Sequence, residues 1–118
     1  MKKSYHCKYG ANITTDEVIK IFQKLFDMEF ELHESSYVGM YFKYTGLFAD
    51  KVTINPKESA SPDCLDDKDY EKYSCLIFID NNSGKNADKL SKTKYLKFHL
   101  AKISDIVFLH EKIIEEKA

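Results

Sequence analysis

The chain has 118 residues, 43% of them hydrophobic and 14% aromatic, and a formal net charge of −1. This length is near the commonest domain size and suffices for a hydrophobic core, so we predict one domain over residues 1–118. The near-neutral charge and the lack of any arginine disfavour a nucleic-acid-binding protein, and apolar runs of at most four residues exclude a predicted membrane span.

The first predicted element is a helix over residues 15–27. Thr14, followed three residues later by Glu17, matches the capping box that begins many helices. Val18 and Phe22 then fall on one face at helical spacing, which predicts that this face packs on the core.

Three strands are predicted next. Apolar and polar residues alternate over residues 28–33, 37–44 and 51–55, and the segments between them are short. This pattern predicts an antiparallel meander. The middle strand has a second face that carries Tyr37 and Tyr41, and these side chains are large for a solvent-exposed position.

Residues 56–70 show no periodicity and form a predicted surface loop. From Glu58 to Glu71 the sequence has six acidic residues and a single lysine. The segment "YSCLIFID", residues 73–80, follows as the most apolar strand, which we place in the centre of the sheet. Its cysteine and the other two are scattered, which favours reduced thiols in the cytoplasm.

Residues 86–118 contain neither glycine nor proline, and their apolar residues advance in steps of three and four, which favours helix. Ser104 and Asp105 could divide this helix. Residues 104–111 could instead include an edge strand, because β-branched and aromatic residues are concentrated there. The fold class predicted is α+β, a single antiparallel sheet of about four or five strands with an N-terminal helix and C-terminal helical segments packed on it.

No local motif indicates catalysis or cofactor binding. The sequence has no G-x-S-x-G or C-x-x-C motif, and its four glycines are isolated. His110 begins "HEKII" but lacks the second histidine that a zinc-binding helix needs. A triad assembled from distant residues would leave no such signature. We therefore expect no enzyme, metal or cofactor.

Charge is segregated along the chain, and this segregation suggests a protein partner. Residues 85–102 contain six lysines and one aspartate, and the lysines fall largely opposite the apolar stripe, as on a solvated helix face. Tyrosines are enriched at interface hot spots, and clustered carboxylates attract basic partners. The predicted interface residues are Asp63, Asp66, Asp67, Asp69, Tyr70, Glu71, Tyr37, Tyr41, Glu29 and Glu31.

This layout resembles the bacterial immunity proteins that neutralise contact-dependent growth-inhibition and related polymorphic toxins. The resemblance rests on an opening helix, a meander containing "YVGMYFKYTGLFADKVTIN", an acidic loop, the strand "YSCLIFID" and a lysine-rich C-terminal segment. It implies a cytoplasmic inhibitor that forms a stoichiometric complex with the C-terminal domain of a cognate toxin, a nuclease with a basic active-site cleft. The acidic loop would occupy the places of substrate phosphates, and Tyr37, Tyr41 and Tyr70 would supply the apolar centre.

Two other functions fit the same residues. A concave sheet face lined by His33, Tyr41 and other polar groups would indicate a pocket for a small ligand. A tyrosine face that closes a homodimer would make the protein a structural subunit. The sequence also leaves open whether a toxin would be bound in its active site or beside it.

Overall fold

The structure is a computed structural model that describes residues 1–61 and 67–117. These residues form an α+β fold with one antiparallel sheet of six strands, in the order β2-β3-β4-β5-β1-β6, and two helices. The elements are β1 (Lys2–Ala11), α1 (Thr15–Phe26), β2 (Glu31–Ser35), β3 (Gly39–Tyr44), β4 (Lys51–Pro56), β5 (Cys75–Asn81), α2 (Asn86–Leu100) and β6 (Ile106–Glu116).

Strand β1 lies between β5 and β6 and pairs with both. Because side chains alternate between the two faces of a strand, Cys7 and Tyr9 point to one side while His6 and Lys8 point to the other. No element was predicted for this segment from the sequence. The alternation of Tyr5, Cys7 and Tyr9 with polar residues is a local strand signal that was overlooked. Only the position of β1 between β5 and β6 depends on residues far away in the chain.

Both helices pack on the same face of the sheet and enclose the core. The core side chains include Val18 and Phe22 of α1, Leu96 of α2, and Tyr9 and Ile77 of the sheet, all of which are buried. Neither α1 nor α2 covers the opposite face, although a short 3₁₀ helix, Lys68–Glu71, packs on part of it. We call it the open face; it carries, among others, the side chains of His6, Lys8, Tyr41, Lys43, Thr53, Phe78 and Asp80.

The structure confirms several predicted elements. Helix α1 has the predicted capping box, since the side chain of Thr14 accepts from the backbone of Glu17 and the side chain of Glu17 accepts from the backbone of Thr14. Strands β2, β3 and β4 form the predicted meander, although β2 begins at Glu31. Strand β5 lies inside the sheet, with Leu76 and Ile77 buried on opposite faces.

Three predictions were wrong. The lysines of the C-terminal helix were expected on a solvated face, but Lys89 of α2 is fully buried. The sheet has six strands, not four or five, because the N-terminal segment adds β1. The C-terminal helix ends at Leu100, and Ile106–Glu116 form the edge strand β6, which was the alternative left open for residues 104–111. Pairing with β1 along its whole length overrides the helical spacing of this segment. No helix in the described part of the chain is long and apolar enough to cross a membrane.

Candidate functional site on the open face

A groove of about 370 Å³ crosses the open face between the β2–β3 hairpin and β5. The floor of the groove consists of side chains that point to this face from three neighbouring strands. Lys43 of β3 pairs with Thr53 of β4, which pairs with Phe78 of β5. Tyr41 and Asp80 also line it. The groove therefore offers two aromatic rings together with charges of both signs.

A second, polar cavity of about 500 Å³ lies at the β2 edge of the sheet, where Glu29 and Glu31 line it. His33 lines the same cavity and stacks on Tyr41, with ring centroids 5.6 Å apart. The acidic cavity and the groove are therefore neighbours. Among residues 1–61 and 67–117, no group of three or more His, Cys, Asp or Glu side chains is placed to hold a metal ion.

The acidic loop is fastened to the open face by Lys8. The Lys8 Nζ atom lies 2.7 Å from a carboxylate oxygen of Asp67 and 2.7 Å from one of Asp69. Asp67 also accepts a hydrogen bond from the backbone N–H of Asp69, at 3.0 Å, which begins a short 3₁₀ turn. Two of the acids predicted to bind a partner thus share one internal lysine, and the trio keeps a net charge of −1.

This contact changes the pKa values of its members. Burial opposes the charge of Lys8, but the hydrogen bonds to Asp67 and Asp69 outweigh burial and raise its pKa above the ordinary lysine value. Burial likewise disfavours the charged form of Asp67, but hydrogen bonds from Lys8 and from the backbone of Asp69 lower its pKa below the ordinary value. The ion pair is therefore fully charged at neutral pH.

The loop's aromatic residues are packed against the sheet. Tyr70 is only 4% exposed, and its hydroxyl donates to the carbonyl oxygen of Asn55 at 3.3 Å. The ring of Tyr73 lies so close to Gly10 that a Cβ atom there would be 2.4 Å from it. Since Asn55 also lines the groove, the loop adjoins one end of the groove. Tyr70 supports the loop and offers little area to a partner.

The other predicted interface residues lie around the groove or outside the described ranges. Tyr37 is 68% exposed at the β2–β3 turn, and the neighbouring Val38 accepts a backbone hydrogen bond from Ser61, where the chain enters the loop region. Glu71 is exposed on the loop. Asp63 and Asp66 lie outside the described residues, so the structure places neither of them.

The structure also brings together a hydrogen-bonded trio that was not predicted from the sequence. His6 Nδ1 lies 2.6 Å from an Asp80 carboxylate oxygen, and His6 Nε2 lies 3.1 Å from Ser4 Oγ. A cavity of about 200 Å³ adjoins Ser4 and His6 and is also lined by Asn82. A serine hydroxyl bonded to an imidazole, which is itself bonded to a carboxylate, is the arrangement that activates serine as a nucleophile in many hydrolases. If β1 had been predicted as a strand, the two-residue spacing of Ser4 and His6 would have placed both side chains on one face and indicated this contact.

Two of the cysteines are buried and unbonded to each other. Burial, with a contribution from nearby Glu111, raises the pKa of Cys7 to about 12, and burial raises the pKa of Cys75 to about 11. Both thiols are therefore protonated at neutral pH, and a protonated thiol is a weak nucleophile.

Comparisons with known proteins supply no family for this chain. No protein-family model matches it, and a search of curated proteins finds no match. Its function must therefore be inferred from the residues of the open face.

Replacing Lys8 by Met tests whether Lys8 fastens the loop. The substitution leaves Asp67 and Asp69 unpaired, so we expect the free energy of unfolding at pH 7 to fall by about 1–2 kcal/mol, between the values for exposed and buried ion pairs. The lowered pKa of Asp67 stabilises the fold above the carboxylate's unfolded-state pKa, and this contribution is lost as pH falls through the folded-state value. Urea unfolding should therefore show a smaller difference at about pH 2.5.

Lys2→Met is the matched control, because Lys2 lies on the same strand and face but forms no ion pair within the described residues. It should leave the stability within about 0.5 kcal/mol of the wild type. An equal effect of Lys2→Met and Lys8→Met, or an effect of Lys8→Met that does not change with pH, would contradict this role.

Proposed function

We propose that this protein is a cytoplasmic immunity protein that neutralises the C-terminal domain of a cognate toxin by forming a stoichiometric complex. The observation that supports this most is the open face, a broad sheet surface that neither α1 nor α2 covers. Its groove, exposed Tyr37 and acidic margins extend well beyond one enclosed cavity. Such a surface suits a protein partner better than a small ligand.

The distribution of charge favours a basic partner at the β2 side of this surface. Glu29 and Glu31 are exposed there, and the only ion pair of Glu31 among the described residues is with His33, at 3.6 Å. Lys43 and Lys51 lie in the groove itself and would repel a basic partner. Glu29 and Glu31, at the margin of the groove, would therefore supply the attraction. A nuclease, which holds phosphates in a positive cleft, presents the matching charge.

The tyrosines would supply the apolar contacts of this interface. Tyr37 projects from the β2–β3 turn and can insert into a partner, whereas Tyr41 is partly buried and held by its stacking on His33. A rigid aromatic ring loses little conformational entropy on binding. Asp67 and Asp69 share the single charge of Lys8, so they would mainly shape the surface and contribute only one net negative charge to it.

The double substitution Glu29→Gln, Glu31→Gln tests the charge contribution. Removing two exposed carboxylates weakens electrostatic steering, so the association rate with the product of the adjacent reading frame should fall by about 3- to 10-fold at low salt. The difference should shrink at about 0.5 M salt, where the charges are screened. Stopped-flow fluorescence measures both rates, and Tyr37→Ala should act mainly by speeding dissociation.

Glu34→Gln is the matched control, because Glu34 lies on the same strand as Glu31 but faces the other side, opposite Met40. It should change the association rate by less than about 2-fold. Equal rates for the wild type and the double variant at low salt would refute the role of Glu29 and Glu31. A toxin domain that stays active with equimolar protein would refute the inhibitor function itself.

A second candidate function is the binding and hydrolysis of a small ester on the open face. It is favoured by the polar groove beside His33 and Tyr41 and by the Ser4–His6–Asp80 trio, whose Asp80 also lines the groove. Ser4 Oγ would attack the ester carbonyl while His6 takes the hydroxyl proton and then gives it to the leaving alcohol. Water would hydrolyse the acyl-serine by the same proton path.

Labelling with a fluorophosphonate, followed by intact-mass measurement and peptide mapping, separates these functions. The inhibitor proposal predicts no more adduct on Ser4 than on Ser36, an exposed serine at the β2–β3 turn. An adduct on Ser4 that disappears in His6→Gln would instead support the second candidate, because only an activated hydroxyl reacts quickly with this probe.

A further inference from the structure

Strand β6 ends the sheet, and its outer edge has no partner among the described residues. Lys112–Glu116 are all exposed, including Ile113 at 48% and Ile114 at 36% of their surface. A long edge strand with free backbone N–H and C=O groups readily pairs with another strand. Charged residues usually limit such pairing, and β6 carries Lys112, Glu115 and Glu116 beside its two exposed isoleucines, so any pairing must bring these charges together favourably.

The two isoleucines indicate what kind of partner fits. Being adjacent on a strand, Ile113 and Ile114 point to opposite faces of the sheet. A protein that lay on either face would cover only one of them. A strand added along the edge contacts both, because its own side chains alternate in the same way.

A second copy of β6 can supply that strand only in certain registers. Two antiparallel copies of one strand are related by a two-fold axis perpendicular to the sheet, and this axis keeps each residue on the same face in both copies. One residue must therefore lie directly opposite its own copy, with the axis midway between them. We name each register by this central residue. A register shift in the pairing with β1 leaves Leu109 bulged, so regular pairing is confined to the segment after it.

Charge then selects one register. An axis at Glu111, Lys112, Glu115, Glu116 or Lys117 places a charged residue opposite itself. An axis at Ile113 places Glu111 opposite Glu115 twice. An axis at Ile114 alone avoids every like-charge pair: it places Lys112 opposite Glu116 and Glu111 opposite Lys117, each twice. Opposite charges across a strand pair stabilise it, and like charges destabilise it.

We propose that the protein forms a homodimer in which the β6 strands of two copies pair antiparallel about Ile114. The sheets of the two copies become continuous, with both pairs of helices on one face. Glu111 is already held by Lys97 at 2.8 Å, so the two Lys112–Glu116 pairs carry most of the charge selection. Strands β2 and β6 lie at opposite edges of the sheet, so the dimer leaves the β2 side of the open face accessible. This inference does not depend on the proposed function.

Charge reversal tests the register. Lys112→Glu and Glu116→Lys each convert two attractive pairs into two repulsive ones, so each should raise the dimer dissociation constant at least about 10-fold. The double variant restores two opposite-charge pairs and should return the constant to within about 3-fold of the wild type. Sedimentation equilibrium over a range of protein concentrations measures these constants, and circular dichroism verifies that each variant is folded.

Lys20→Glu is the matched control, since Lys20 is exposed on α1, which packs against β4. It makes the same charge change and should leave the dissociation constant unaltered. A chain that stays monomeric up to about 1 mM would overturn the dimer, because pairing of the exposed β6 edges would be detectable at such concentrations. A dimer that forms but does not respond to the single reversals, or is not restored by the double reversal, would overturn the register.

Discussion

The pairing of β1 with strands on both sides is the interaction on which the rest of the structure depends. This N-terminal strand connects the β2–β5 part of the sheet to β6, which has no other strand neighbour among the described residues. Its two faces serve different purposes. Cys7 and Tyr9 enter the core beneath the helices, while His6 and Lys8 lie on the open face. One strand thus connects the core to the proposed binding surface.

Charge compensation by Lys8 changes the role of the acidic loop. The loop's acidity is pronounced in the sequence, yet Asp67 and Asp69 both contact Lys8 and contribute to placing the loop. Glu29 and Glu31, at the opposite side of the groove, form no ion pair with a lysine among the described residues. In the proposed function, the loop therefore forms one wall of the surface, and the β2 side attracts the partner.

The parts of the fold that could be predicted are those with local signals. The capping box at Thr14 identified α1, and alternating residues with short turns identified the meander. β1 was missed although its residues alternate, and β6 was only the alternative kept for its segment; the pairing that establishes both joins residues about a hundred positions apart. The bulge at Leu109 also interrupts alternation, so the apolar residues of β6 fall at helical spacing. Likewise, the sequence marked Asp67 and Asp69 as acids of interest, but only the tertiary fold identifies Lys8 as their partner and buries Tyr70.

Amide hydrogen exchange of the protein, alone and with an equimolar amount of the product of the adjacent reading frame, tests the central claim most directly. Binding at the open face should slow exchange in the β2–β3 hairpin, residues 31–44, and in residues 67–73 of the loop, because partner contacts suppress local opening. Exchange in α2 should remain unchanged. Protection confined to α2 and the helical face of the sheet, with none in the hairpin or the loop, would contradict the account.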